Sequence, residues 1–252
     1  MNEFTCEECG ATVAGADLPA LGDAAIDHYR SEHPDLPYPD DGIRNYAEAT
    51  QRLTGPKERL DTIGTVEIRR VTGAEIDDWC AFFDHDVFAD NPAWAACYCA
   101  EPHVLDPAVG DVPRTWQDNR AFMVDLLRSG RCVGYLAYVD GRPAAWVNAS
   151  LRSEYSLYRD GPGADPPDDD VVGISCFAVA PPYRRHGLAT ALLERVLAEA
   201  DGREVRFVEA YPPTEPREGD PDNFRGPRSL YDERGFEPEG EKRQNTVMRR
   251  RV

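Results

Sequence analysis

An α/β (α+β) domain preceded by a small metal-binding kind of module is the architecture this chain predicts, and three observations predict it. From residue 64 onward, strand-like and helix-like apolar patterns alternate. Before that point two cysteines and two histidines fall within a segment too short to bury much apolar surface unaided. Over residues 174–200 an apolar run passes through a turn rich in Pro, Arg and Gly into a long amphipathic stretch. With 252 residues, the chain has length for one full domain and a small appendage.

The elements follow in order. Residues 1–40 read as the module, with a helical stretch over 22–31, and residues 41–63 as a linker. That linker includes a connecting helix at 46–60, ended or kinked near Gly55-Pro56. The domain over 64–252 opens with a strand at 65–71 and a helix at 74–88, followed by an irregular loop at 90–112. In the helix at 114–129, Phe122, Met123, Leu126 and Leu127 recur at helical spacing. Strands at 131–139 and 144–151 form a hairpin around the turn dipeptide Asp140-Gly141. After a Pro- and Asp-rich loop at 161–170 come strands at 171–179 and 204–210, an extended insertion at 211–226, a short helix at 227–234 and a last strand or hairpin.

The junction at 174–200 has the makings of an anion site. The first turn of a helix leaves backbone N–H groups without intrahelical partners and carries partial positive charge. Arg184, Arg185 and His186 add side-chain cations, Gly187 has no Cβ to hold a ligand off, and Ala189 keeps the helix start small.

Two segments together resemble the GCN5-related N-acetyltransferase (GNAT) superfamily. One is Arg184-x-x-Gly187-x-Ala189 after a Val-Ala-Pro strand end, which matches the family's motif A. The other is Ser-Leu-Tyr-Asp-Glu-Arg-Gly-Phe at 229–236, in the family's order and spacing. The resemblance covers about residues 64–252. It implies a mixed central sheet flanked by helices and acetyl-CoA as cosubstrate, with an amine as acceptor. It further implies main-chain contacts from Ala178 and Val179 to pantetheine, and a pyrophosphate cradled by Arg184, Arg185, His186, Gly187, Leu188, Ala189 and Thr190. By the same resemblance Tyr231 is the acid that protonates the leaving thiolate, and a backbone N–H at the strand end near Val179 meets the oxyanion. Glu209 is the candidate base, with Glu154 as second choice. The family's cofactor-binding Asn is not carried over, because Asn223 sits one position out of register. A non-catalytic CoA-binding protein whose module docks a partner is the alternative.

Cys6-x-x-Cys9 followed by His28 and His33 approaches the spacing of a Cys₂His₂ zinc site, although its 18-residue gap exceeds the usual range of about 12–15. Structural Zn²⁺ on Cys6, Cys9, His28 and His33 would supply the folding energy of a segment with so small a core, for which Phe4 and Ile26 are candidates. Cys97, Cys99 and His103 in the 90–112 loop admit several readings: a metal site, a redox thiol, a lining of the acceptor pocket beside Trp94 and Tyr98, or plain packing.

The formal charge of −18 argues against a nucleic-acid partner, and the module's helix offers only Arg30 to a phosphate backbone. Lysine occurs only at Lys57 and Lys242, and the abundance of Asp suits a protein adapted to concentrated salt. There is no secretory pattern at the N-terminus and no run of membrane-spanning length, so the expectation is a soluble, cytoplasmic protein. The acceptor is left to the loops at 90–112, 161–170 and 211–226.

Overall fold

The computed structural model describes residues 1–104, 114–202, 204–215 and 223–252. Parts of the loops expected at 90–112 and 211–226 lie outside these residues.

The chain begins with an antiparallel hairpin, β1 (Asn2–Thr5) and β2 (Thr12–Gly15). The segment between them turns back on itself, with Cys6 N–H donating to the Ala11 carbonyl and Gly10 N–H to the Cys6 carbonyl. Helix α1 (Leu18–Glu32) starts where the Asp17 carboxylate accepts from Ala20 N–H at 2.9 Å, with Pro19 in its first turn. Phe4, Leu21, Ala25 and Tyr29 pack with Ile43 and Ala47 of helix α2 (Asp40–Arg52).

The segment expected to be a linker is therefore largely helical, and it is fastened on two sides. Glu48 and Arg52 are buried. Glu48 accepts from Trp116 Nε1 at 2.6 Å and from Gln117, while Arg52 donates to the carbonyls of Phe83, Asp84 and Ala95 and to the Tyr98 hydroxyl. Each charged group thus exchanges water for several fixed partners, which offsets much of the cost of burying it, although Glu48 Oε1 and Arg52 Nε are left without a hydrogen bond.

The larger body holds β3 (Val66–Arg70), α3 (Ile76–Ala81, continued by a π-turn over Phe82–Asp86), α4 (Glu101–Val104), α5 (Trp116–Arg128), β4 (Gly134–Val139), β5 (Arg142–Leu151) and β6 (Val171–Val179). It ends with α6 (Leu188–Ala200), β7 (Phe207–Ala210), α7 (Arg228–Asp232), β8 (Glu237–Lys242) and β9 (Asn245–Arg251). Seven strands form one mixed sheet in the order β3-β4-β5-β6-β7-β9-β8, and only β6 and β7 run parallel. The crossover through α6 makes that pair parallel. Successive residues of a strand face opposite sides, so Tyr135, Ala137 and Val139 join the core under α6 while Leu136 and Tyr138 join the one under α3 and α5.

One irregularity positions the site. Asn148 opposes Cys176 and Ala149 opposes Ile174, so Ser175 is an extra residue in β6, a bulge that bends the strand. Along β6, β7 pairs only with Val171 to Ile174. Beyond the bulge β6 keeps β5 on one side and diverges from β7 on the other, opening the sheet at its centre. Among the described residues no helix is long and apolar enough to cross a membrane.

Candidate active site

The opened sheet leads into a cavity of about 1300 Å³. At one end it is lined by Arg184, Arg185, Gly187, Leu188, Ala189 and Thr190, and along its floor by Ala178 and Val179. Gly187 caps α6 at φ +78° and no side chain caps the helix, so the first-turn amides of α6 are not satisfied by a capping group. The first turn also lacks an acidic residue, which leaves its partial positive charge uncompensated. A Cβ on Gly187 would meet nothing within 4 Å, so glycine is needed there for its left-handed backbone rather than for space.

The side-chain cations of this turn are less available than the sequence suggests. Arg184 forms a fork with Asp90 at 2.5 and 2.9 Å, and its Nε donates to the Val179 carbonyl. His186 Nε2 lies 2.9 Å from the Leu60 carbonyl and does not line the cavity. Both residues brace the turn against residues that precede it in the chain, and the backbone of α6 presents the positive end.

Two donors converge where the strands part. Phe177 N–H donates to the Phe224 carbonyl at 2.5 Å, and the Tyr231 hydroxyl donates to the adjacent Arg225 carbonyl at 2.5 Å. By the two-residue period of the strand, Val179 N–H points to the same side as Phe177 N–H. Tyr231 is fully buried, and burial raises its pKa well above the ordinary value of a phenol, so it is a neutral donor.

Glu209, the base candidate, lies apart from this group. Its carboxylate is buried and does not line the cavity. Arg152 NH1 reaches it at 2.9 Å, Arg249 at 2.7 Å, and the Tyr211 hydroxyl at 3.0 Å. A carboxylate held this way joins β7 to β9 and to the turn after β5, and it is away from the cavity that an entering amine would occupy. Glu154, the second choice, pairs with Arg131 at 2.8 Å and is likewise outside the cavity lining.

The 90–104 segment separates the histidine from the cysteines. His103 is buried between the Glu154 carbonyl (3.0 Å from Nδ1) and Asn148 Nδ2 (3.0 Å from Nε2), and burial lowers its pKa to about 4. It is a neutral, structural imidazole that does not join Cys97 and Cys99. Cys99 Sγ instead lies 2.8 Å from Cys176 Sγ, and Cys97, Cys99 and Cys176 all line the cavity.

Sequence reasoning missed the wall facing the sheet. Asp41 and Asn45 of α2 line the same cavity, as do Glu101, Arg114 and Arg243. These residues lie far apart in sequence and share no motif, so only the fold assembles them.

Cys6, Cys9, His28 and His33 do come together. Their ligand atoms all lie within 4.8 Å of one another, with Cys6 Sγ 3.5 Å from His33 Nε2 and Cys9 Sγ 3.4 Å from His28 Nε2. Burial alone would raise the Cys6 thiol, but hydrogen bonds from the Cys9 backbone, the Tyr29 side chain and the Glu8 backbone outweigh it and hold the thiol below the ordinary value.

The sequence profile of a family described as "Acetyltransferase (GNAT) family" matches residues 93–236. No curated protein matches the chain. Similar solved structures include the GNAT domain of S. lividans PAT, at 17% identity, covering 75% of this chain and 92% of that one with a TM-score of 0.46. The aminoglycoside acetyltransferase AAC(6')-Ib in complex with coenzyme A is similar at 18% identity, 74% and 95% coverage and a TM-score of 0.47. The PaiA N-acetyltransferase of Thermoplasma acidophilum with coenzyme A is similar at 10% identity, 75% and 99% coverage and a TM-score of 0.45.

Proposed function

The chain belongs to the GNAT acetyltransferase family, whose donor is acetyl-CoA, and from that premise we propose that it acetylates a primary amine in the opened sheet. The observation that carries the reading is one cavity joining uncapped α6 amides to the edge of β6 from which β7 diverges. Diphosphate oxygens would sit against the amides of residues 187–190, and pantetheine would run along Ala178 and Val179. In this reading Arg184 and His186 hold the turn in shape, and Arg185 faces the cavity with the backbone.

Catalysis then follows from the two converging donors. The neutral amine attacks the thioester carbonyl carbon, a C–N bond forms, and the charge gathered on the oxygen is met by a β6 N–H. The C–S bond breaks as Tyr231 gives its proton to the departing sulfur and regains one from solvent. The carbonyls of Phe224 and Arg225 occupy these donors in the present structure, and the thioester would replace them. Water carries off the amine's proton. Glu209 is assigned to holding the sheet.

Zinc fits the module's four donors. With Zn–S near 2.3 Å and Zn–N near 2.0–2.1 Å, neighbouring ligand atoms of a tetrahedron stand about 3.5 Å apart, and the S–N pairs here are at 3.4 and 3.5 Å. The metal would be structural, with all four positions filled by protein, and the domains would be 1–40 for the module and 64–252 for the transferase, bridged by α2.

Incubation with acetyl-CoA and a panel of primary amines tests the proposal by release of free CoA thiol. One thiol per acetylated amine is expected. Acetyl-CoA binding without turnover on any amine would overturn it.

A further inference from the structure

A second hollow, of about 330 Å³, lies on the N-terminal module. Its walls are the rings of Phe4, Tyr29, Tyr38 and Tyr46, with Glu7 and Glu8 at its rim. The rings meet at angles: Phe4 against Tyr46 at 89° and Tyr29 against Tyr38 at 75°, with centroids 6.0 Å apart in both pairs. The two carboxylates are steadied by phenols, Tyr46 donating to Glu7 at 2.5 Å and Tyr38 to Glu8 at 3.4 Å. Among the described residues neither glutamate is ion-paired with a basic side chain. Tyr38 is 45% exposed, so the hollow opens to solvent beside its ring.

An angled set of aromatic faces beside uncompensated carboxylates complements one ligand chemistry, an organic ammonium ion. The ring faces attract the cation through their quadrupoles, and the carboxylates supply the opposite charge. A neutral apolar ligand would gain nothing from Glu7 and Glu8, and an anion would be repelled.

Position adds a role. Pro39, Gly42 and Ala93 line both this hollow and the large cavity, so the two adjoin. We propose that the hollow is a cation subsite for the acceptor, which would be a linear molecule with two or more amines. One ammonium is held among the rings while another amine, neutral, reaches the thioester. The link to acetyl transfer rests on the function proposed above; the cation site itself does not. The Cys6–Cys9 turn carries Glu7 and Glu8 between its two thiols, so whatever metal holds that turn also holds the rim of the subsite.

The site is tested on the intact, metal-loaded protein with choline, which has a quaternary ammonium and no amine to acetylate, and with its neutral isostere 3,3-dimethylbutan-1-ol, by calorimetry at matched ionic strength. Choline is expected to bind at least tenfold more tightly than the alcohol. Tyr38→Ala and the double variant Glu7→Gln/Glu8→Gln, each checked for unchanged metal content and circular dichroism, should each lower choline affinity at least tenfold. The same double variant should raise KM for a linear diamine at least tenfold with kcat unchanged, and leave a monoamine of equal length unaffected. Equal affinity for choline and the alcohol, or no binding of choline, overturns the subsite even if amines are acetylated. Choline binding without acetylation of any amine preserves the subsite and overturns the transferase reading. A diamine KM that is the same in wild type and variant overturns the role assigned to the subsite.

Discussion

The turn at the start of α6 and the hollow on the N-terminal module treat charge in opposite ways. The turn presents backbone N–H groups, aligned by a helix and left without a side-chain cap, and so suits an anion. The hollow presents ring faces and two glutamates, and so suits a cation. One comes from contiguous residues, 184–190. The other draws on Phe4, Glu7, Glu8, Tyr29, Tyr38 and Tyr46, carried by β1, the cysteine turn, α1, the loop after it and α2. A site made of backbone is set by local conformation, whereas one made of side chains depends on how several elements pack.

The largest expected effect falls on the backbone site. Gly187→Glu places a carboxylate on the positive end of α6 and forces a non-glycine residue to φ +78°. The carboxylate competes with the diphosphate for the helix-end charge and repels it, and the strained backbone pulls the turn out of shape, so acetyl-CoA affinity by calorimetry should fall roughly a hundredfold. Unchanged affinity would break the comparison at its donor end.

Glu209→Gln probes the sheet beside the cavity. Arg152 is fully buried and loses one charged partner while keeping Asp168 and Asp160, so urea unfolding should show a loss of about 1–3 kcal/mol. A variant of unchanged stability that has lost turnover would instead return Glu209 to the role of base. Tyr231→Phe removes the donor without disturbing the α6 turn. It should lower kcat by about a hundredfold while acetyl-CoA affinity stays within about twofold. Because burial raises the phenol's pKa, Tyr231 remains protonated through and beyond the neutral range, and activity should show no alkaline fall attributable to it up to about pH 10.

Metal removal sharpens the comparison from the other side. Chelation, or Cys9→Ser, should abolish the ordered tyrosine signals of the module in near-ultraviolet circular dichroism. Acetyl-CoA affinity should change by less than about threefold, because α2 is held to the larger body by Glu48 and Arg52 independently of the metal.

The smallest expected effect comes from His103. Its folded-state pKa is near 4, below its ordinary 6.5. The unfolded chain therefore takes up a proton first as pH falls. The stability that depends on a neutral His103 is complete above about pH 6.5 and is lost progressively down to about pH 4, by about 1–3 kcal/mol. Urea midpoints across that window should flatten in His103→Gln.

The chain's own pattern determined the features built from neighbouring residues. The β6-turn-α6 junction, the Asp140-Gly141 hairpin and the Tyr231 helix are legible because hydrophobic period and turn chemistry are local. The Cys–His set was legible too, since four strong ligands in a short segment have few other purposes. Tertiary structure alone decided which charges stay available. It spent Arg184 on Asp90 and Glu209 on Arg152 and Arg249, turned His103 toward Asn148, and made a supposed linker into a wall of the cavity. The reason is that a charged side chain, once taken from water, must be matched by whatever the fold brings near it, and that partner is not written beside it in the sequence.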